Sequence, residues 1–291
     1  MARIHFMGVG KMGLPMATHL HRAGHSLSVS DTSAQQQALA AERGLSVLDA
    51  QLALPGVDMV FSSLPGDAAL LSVAAQVAGL AGAGTLWVDT STVSPAASSE
   101  AAACCERAGL QCLRTTVSGN NHMAEAAQLT VMASGPRAAY DTALPLLSLL
   151  GPNRFYLGDA EQARLMKLVV NLMIAQTSAM LSEGLTLGRK GGLAWQDMWQ
   201  VLSASAVGSP ILKAKAVQLG ERDFTPTFTV EQMLKDLSLI IGAGQALHAP
   251  LPQTAMTQQL MQAAVAQGEA LDDYAAVIKA QERSAGLATG R

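Results

Sequence analysis

A glycine cluster near the start of the chain, Gly8-Val9-Gly10-Lys11-Met12-Gly13, restricts what this sequence can fold into more than any other feature. It directly follows the apolar run Arg3–Met7 and opens a stretch with helical character. A strand that turns on glycine into a helix N-terminus aims backbone N–H groups at an anion. In that setting the first glycine makes the tight turn, the second admits a pyrophosphate and the third lets helix pack on strand. Asp31 ends the next β-rich run 18 residues beyond Gly13. A carboxylate there accepts from ribose hydroxyls and repels a 2′-phosphate, and Thr32 and Ser33 supply no guanidinium to bind one. The expectation is a dinucleotide site formed by Gly8, Gly10, Lys11, Met12, Gly13 and Asp31, with NAD favoured over NADP. Asp31 also suits a turn or helix cap beside Ser33.

The first half alternates β-rich runs (3–7, 27–30, 58–62, 85–89, 112–115, 129–133, 154–157) with helical stretches (14–23, 34–43, 67–78, 95–108, 137–150). That alternation predicts an α/β fold, a doubly wound parallel sheet of Rossmann type. Beyond about residue 160 the β signal fades, and helical windows are punctuated by Gly or Pro. Two domains are expected, 1–159 binding the dinucleotide and an all-helical 160–291 for substrate and dimerisation, joined by a helix over about 161–189. Residues 68–88 are uncharged and long enough to span a bilayer, but their Ser72, Gln76 and three glycines read as helix, turn and strand. A net charge of −3 gives no basic field for nucleic acid or anionic lipid. Cys104, Cys105 and Cys112 have no metal-ligand spacing and an odd count for disulfides. With no export signal visible, the expectation is a cytoplasmic protein without metal, membrane or nucleic-acid partner.

Seven lysines occur, and only Lys11 precedes Lys167. Lys167 lies in LMKLVVNLMIAQTSAMLSEGL, apolar nearly all round, which predicts a helix covered on most sides. At helical pitch Asn171, Ser178 and Ser182 lie about 40°, 20° and 60° from Lys167, so the four form one polar stripe. Desolvating an ammonium lowers its pKa and lets a lysine exchange protons near neutrality; a snorkelling or ion-paired lysine fits the same pattern. The apolar character of this helix also predicts a partner subunit, a homodimer or homotetramer. Trp195 and Trp199, four apart, read as helix packing.

Six motifs occur in order: GVGKMGLPM at 8–16, Leu64-Pro65, VDTSTVSP at 88–95, VSG at 117–119, Lys167 with Asn171, and Lys235-Asp236. With them the chain resembles the β-hydroxyacid dehydrogenase family over nearly its full length. The resemblance implies that Leu64, Pro65 and Thr92 line the nicotinamide and that Lys235 reaches the dinucleotide. It implies that Ser118, Gly119 and Asn120 anchor a substrate carboxylate, that Lys167 is the general acid/base, and that Asn171 holds the substrate. The activity implied is reversible hydride transfer between a nicotinamide cofactor and a small hydroxy acid or its semialdehyde or keto form.

Departures from the family pattern bear on the substrate. Arg114-Thr115-Thr116 stands where Asp-Ala-Pro is common, Asn120-Asn121-His122 follows where Gly-Gly is usual, and Val170 replaces the first of two asparagines. Arg114 could recognise a second anionic group. Ile174 occupies the place of the glutamate that decarboxylating relatives use, so oxidation without loss of carbon dioxide is expected. A dinucleotide-binding sensor without turnover and an imine reductase are the alternatives, the second disfavoured by the retained lysine.

Overall fold

The computed structural model describes residues 1–289 and divides the chain into two compact units, Met1–Lys167 and Leu168–Arg291. In chain order the first unit holds β1 (Arg3–Met7), α1 (Gly13–Arg22), β2 (Ser26–Ser30), α2 (Ala34–Glu42), β3 (Ser46–Val47) and α3 (Ala50–Ala53). Next come β4 (Met59–Ser62), α4 (Asp67–Leu80), β5 (Leu86–Asp89), α5 (Pro95–Arg107), β6 (Gln111–Ser118) and α6 (Asn121–Glu125). The unit closes with β7 (Thr130–Ser134), α7 (Arg137–Leu147), β8 (Asn153–Tyr156) and the first turn of α8 (Gln162–Lys190). The stretch 68–88 is a helix, a loop and a strand, as its glycines and polar residues predicted.

The eight strands are ordered β3-β2-β1-β4-β5-β6-β7-β8, so the order reverses between β1 and β4 and opens a crevice at their carboxyl ends. Side-chain alternation puts Phe6, Phe61, Val88 and Leu113 in one register row, packed with α1, α2 and α7, and the Phe6 and Phe61 rings stack 5.9 Å apart. Val60, Trp87 and Cys112 form the neighbouring row against α4 and α5. Burial raises the Cys112 thiol to about 12, which leaves it a packing group. One pairing departs from the parallel expectation: β6 and β7 are antiparallel. Their connection carries only the five-residue α6, too short for a right-handed crossover. The sheet edges are blunt, β3 being two residues long and β8 carrying exposed Asn153, Arg154 and Phe155.

His5 is a polar exception inside this sheet. It is fully buried on β1, with Nδ1 and Nε2 each 2.9 Å from a serine hydroxyl of β2, Ser28 and Ser30. Desolvation lowers its pKa to about 4.

The second unit is helical, as expected: the rest of α8, α9 (Trp195–Ala204), α10 (Pro210–Gly220), α11 (Val230–Ala246), α12 (Pro252–Ala266), a 3-10 turn (Tyr274–Ala276) and α13 (Val277–Ser284). Local chemistry fixes the helix starts. Ser209 caps α10 ahead of Pro210, and Thr229 and Gln232 form a reciprocal capping box on α11. One core joins Leu168 and Ala175 of α8 to Met233, Leu237 and Ile240 of α11 and Met261 of α12. A second joins Leu181 and Leu185 to Trp199, Leu212 and Ile278. Trp195 and Trp199 meet edge to face at 5.7 Å within this helical packing. Buried charges are paired: Lys215 Nζ lies 2.6 Å from Asp273, and Glu282 is held by Arg189 and Arg222.

The covering of α8 differs from expectation. Asn171, Ser178, Ser182 and Thr186 are buried, yet Met166, Val169, Met173, Met180 and Leu187 are exposed, so one apolar face of this helix has no cover among the described residues.

Candidate active site

The glycine turn is built as its spacing predicts. Gly8 adopts φ +88°, and a methyl group there would meet the Ser63 carbonyl oxygen at 2.4 Å. At Gly13 a methyl group would meet the Gly8 carbonyl oxygen at 2.0 Å, which is the close contact that lets α1 start against β1. Gly10 is different, with no protein atom within 4 Å of where its Cβ would stand. Nothing in the chain's own packing demands glycine at that position. The open backbone there leaves room for a ligand's close approach, so the turn fits the pyrophosphate of a dinucleotide. Lys11 is exposed, and Met12 packs partly on the core beneath the turn.

Asp31 ties the turn to the end of β2. Its Oδ2 accepts from Val9 N–H and its Oδ1 from Ser33 N–H, both at 2.8 Å. The carboxylate therefore has the turn role that the sequence left open, the cap of α2 being Ser33, and each oxygen keeps acceptor capacity for a ribose hydroxyl. Across the crevice, Leu64 and Pro65 follow β4, and Leu64 Cδ2 comes within 3.3 Å of the Cβ position of Gly8. Leu64 N–H donates to Ser91 Oγ at 2.8 Å. Thr92 is half-buried in the loop after β5, and the cap of α5 is Ser94, itself bonded to Asp67.

Beneath these loops lies a buried polar network that no motif reading assigned. Asp89, at the end of β5, and Arg164, in the first turn of α8, form an ion pair at 2.5 Å with both side chains 1% exposed. Asp89 Oδ1 also accepts from the hydroxyls of Ser62 (2.5 Å) and Ser91 (2.7 Å). Arg164 donates through Nη1 to the Ser91 carbonyl at 2.6 Å and through Nε to Ser98 Oγ at 3.0 Å. A carboxylate ending an otherwise apolar strand was the available signal at Asp89. Its partner 75 residues away had none.

At the end of β6, Ser118 is half-buried and Gly119 adopts φ +141°, where a Cβ would strike Leu129 at 2.7 Å. Asn120 Oδ1 accepts from Met123 N–H at 3.0 Å and caps α6, so that oxygen is engaged in the fold while its amide N–H groups remain donors. His122 is exposed on α6. Arg114 is buried, and its Nε donates to Glu161 Oε1 at 2.8 Å.

Lys167 is half-buried on α8 and belongs to the first unit. In the second unit, buried Asn171 donates through Nδ2 to Asp236 Oδ2 at 2.5 Å. Asp236 Oδ1 stands 3.2 Å from Lys235 Nζ. Asp236 therefore joins two residues that the motif pattern named separately, and it orients the Asn171 amide. Ile174 packs against the core of this unit.

A reversing parallel sheet, a ligand-open glycine turn and a carboxylate at the end of β2 define a nicotinamide-dinucleotide-binding oxidoreductase fold. The family model described as the NAD binding domain of 6-phosphogluconate dehydrogenase matches residues 3–158, and that described as NAD-binding of NADP-dependent 3-hydroxyisobutyrate dehydrogenase matches residues 162–281. The chain belongs to the β-hydroxyacid dehydrogenase family. It is 32% identical over 290 residues to 2-(hydroxymethyl)glutarate dehydrogenase of Eubacterium barkeri, covering 98% of this chain and 96% of that one. It is 29% identical to 2-hydroxy-3-oxopropionate reductase of Escherichia coli, covering 96% and 97%. The structure of Mycobacterium tuberculosis 3-hydroxyisobutyrate dehydrogenase with L-serine matches with a TM-score of 0.88 at 28% identity, covering 96% and 98%.

Proposed function

We propose that this NAD(P)-dependent hydroxyacid dehydrogenase acts on a small β-hydroxy carboxylate or the matching semialdehyde, with Lys167 as the proton-transferring group. The observation that carries this reading is the stripe on α8, where Lys167 is followed one turn later by Asn171, whose amide is fixed by Asp236. The relatives' names support the substrate class, each describing a short carboxylate with a hydroxyl or oxo group.

When bound, the nicotinamide supplies or accepts the hydride. In reduction the Lys167 ammonium donates a proton to the carbonyl oxygen as charge develops there, and in oxidation the neutral amine takes the alcohol proton. The Asn171 amide, oriented by Asp236, positions that oxygen, and Ser118 with the Gly119 and Asn120 amides holds the carboxylate. Leu64, Pro65 and Thr92 would border the nicotinamide, and Lys235 is the residue that the family resemblance assigns to the dinucleotide.

NAD is the proposed coenzyme, because the Asp31 carboxylate is fixed by two backbone amides and cannot swing away from a 2′-phosphate. Arg114, tied to Glu161, gives no guanidinium for a second substrate carboxylate. Ile174 offers no proton for an enol, so oxidation ends at the oxo acid. Three unpaired cysteines support the proposal of a reducing, cytoplasmic setting, and thiol titration in denaturant after anaerobic purification should count all three.

The test is near-ultraviolet absorbance of the reduced cofactor across a panel of β-hydroxy acids, semialdehydes and cyclic imines, with NAD and NADP. Turnover of a hydroxy acid that falls by roughly 10²–10⁴-fold in Lys167→Ala is expected. Binding without turnover on any compound, or imine turnover indifferent to Lys167, would overturn the reading. Carbon dioxide released in step with oxidation would refute the assignment at Ile174.

A further inference from the structure

The segment leading into Lys167 is fastened more heavily than a helix start requires. Ser134 Oγ donates to the Ala160 carbonyl and accepts from Ala163 N–H, and Thr116 Oγ1 donates to the Ala163 carbonyl. Arg114 holds Glu161. Arg164 goes further, because its guanidinium reaches Asp89, Ser91 and Ser98 at once. From Asp89 the chain of bonds continues through the Ser91 hydroxyl, which donates to Asp89 Oδ1 and accepts from Leu64 N–H. One buried ion pair thus connects the turn that presents Lys167 to the backbone of Leu64.

A pair this dry is a poor device for stability, since the desolvation of both charges offsets their attraction and an apolar pair of similar volume often does as well. What a saturated guanidinium supplies is direction. Arg164 donates through Nε, Nη1 and Nη2, with Nη1 shared between the Ser91 and Asp89 carbonyls, and Asp89 uses both carboxylate oxygens, so neither side chain can rotate without leaving a buried polar group unpaired. Lys167 follows Arg164 by three residues and lies on the adjoining helical turn, so any tilt of that turn carries the amine with it.

We propose that Arg164 and Asp89 are positioning residues for hydride transfer, locking the Lys167-bearing turn and, through Ser91, the Leu64 backbone. This rests on Lys167 being the acid/base, and the measurements separate the two claims. Lys167→Ala is assayed first, on the hydroxy acid that turns over best. Arg164→Lys keeps the charge but loses the fork, and Asp89→Asn keeps the shape but loses the charge. In both, kcat falls about 10- to 100-fold at saturating cofactor, with the substrate KM changed by less than about threefold. The pH profile of kcat shifts relative to wild type, and the isotope effect with carbinol-deuterated substrate increases. Ser91→Ala leaves the ion pair and removes the hydroxyl that bridges Asp89 Oδ1 and Leu64 N–H, so it weakens dinucleotide binding while the pH profile stays.

A purely structural clamp predicts lower melting temperatures with kcat, pH profile and isotope effect unchanged, and that result in folded Arg164→Lys overturns the proposal alone. If Arg164→Lys and Asp89→Asn do not fold, Ser91→Ala decides, and unaltered dinucleotide affinity in it counts against the proposal. Turnover indifferent to Lys167→Ala removes the acid/base reading and the proposal with it.

Discussion

At Gly8 and Gly13 an added methyl group meets backbone carbonyl oxygens at 2.4 and 2.0 Å, whereas at Gly10 it meets nothing. The same substitution therefore has two outcomes. Gly8→Ala and Gly13→Ala should each lose about 1–3 kcal/mol of stability or more, read as a drop in the denaturant midpoint. Gly10→Ala should keep the wild-type midpoint within about 0.5 kcal/mol and lose dinucleotide affinity, read by quenching of tryptophan fluorescence. Equal destabilisation at all three would show that the turn is shaped by folding alone. His5 makes a residue-scale prediction in pH. Its folded pKa is about 4 against 6.5 for an unperturbed imidazole, so between these values the unfolded chain binds the extra proton. Stability should fall by about 1.4 kcal/mol for each pH unit on acidification through that window, roughly 3 kcal/mol in all. His5→Gln should flatten that part of the curve, and an unchanged slope in the variant would assign it to other groups.

At the scale of elements, α8 carries the sharpest expectation. Met173, Met180 and Leu187 are 62%, 57% and 75% exposed, with Met166 they recur at seven-residue spacing, and Val169 lies beside them on the same face. Gly184 lies on the same face with no atom near its Cβ position, leaving room for a close helix approach. A second copy of the chain is the proposed cover. Light scattering should give a dimer or larger at micromolar concentration, and Met173→Glu or Met180→Glu should lower that mass; a monomeric wild type would refute it. Elements set by local chemistry were legible in sequence, as at α1 behind its glycine turn and α5 behind Ser94-Pro95. β3, α3 and α6 were not, being two to five residues long and held by neighbours and by the caps Asp49 and Asn120. β6 runs on to Ser118 because the antiparallel partner β7 continues the ladder to Thr130, a tertiary cause. The site divides in the same way. Gly8 to Asp31 could be read from spacing, while Arg164 with Asp89 and Asn171 with Asp236 are contacts across 75 and 65 residues that no local pattern marks.

For the molecule as a whole, ligand binding and stability are linked, because a dinucleotide that binds only the folded chain raises its unfolding free energy. NAD at a hundred times its Kd should add about 2.7 kcal/mol, seen as a higher melting temperature. NADP at the same concentration should add less, given the Asp31 carboxylate, and an equal gain would contradict the coenzyme preference proposed here. Gly10→Ala should melt like wild type without cofactor and gain little with it. The two blunt rims of the sheet matter at this scale as well. β3 presents two residues and β8 a short solvated segment interrupted by Arg154, so an incoming strand finds almost no ladder to extend. Folded copies crowded together therefore find little strand edge on which to stack into fibres.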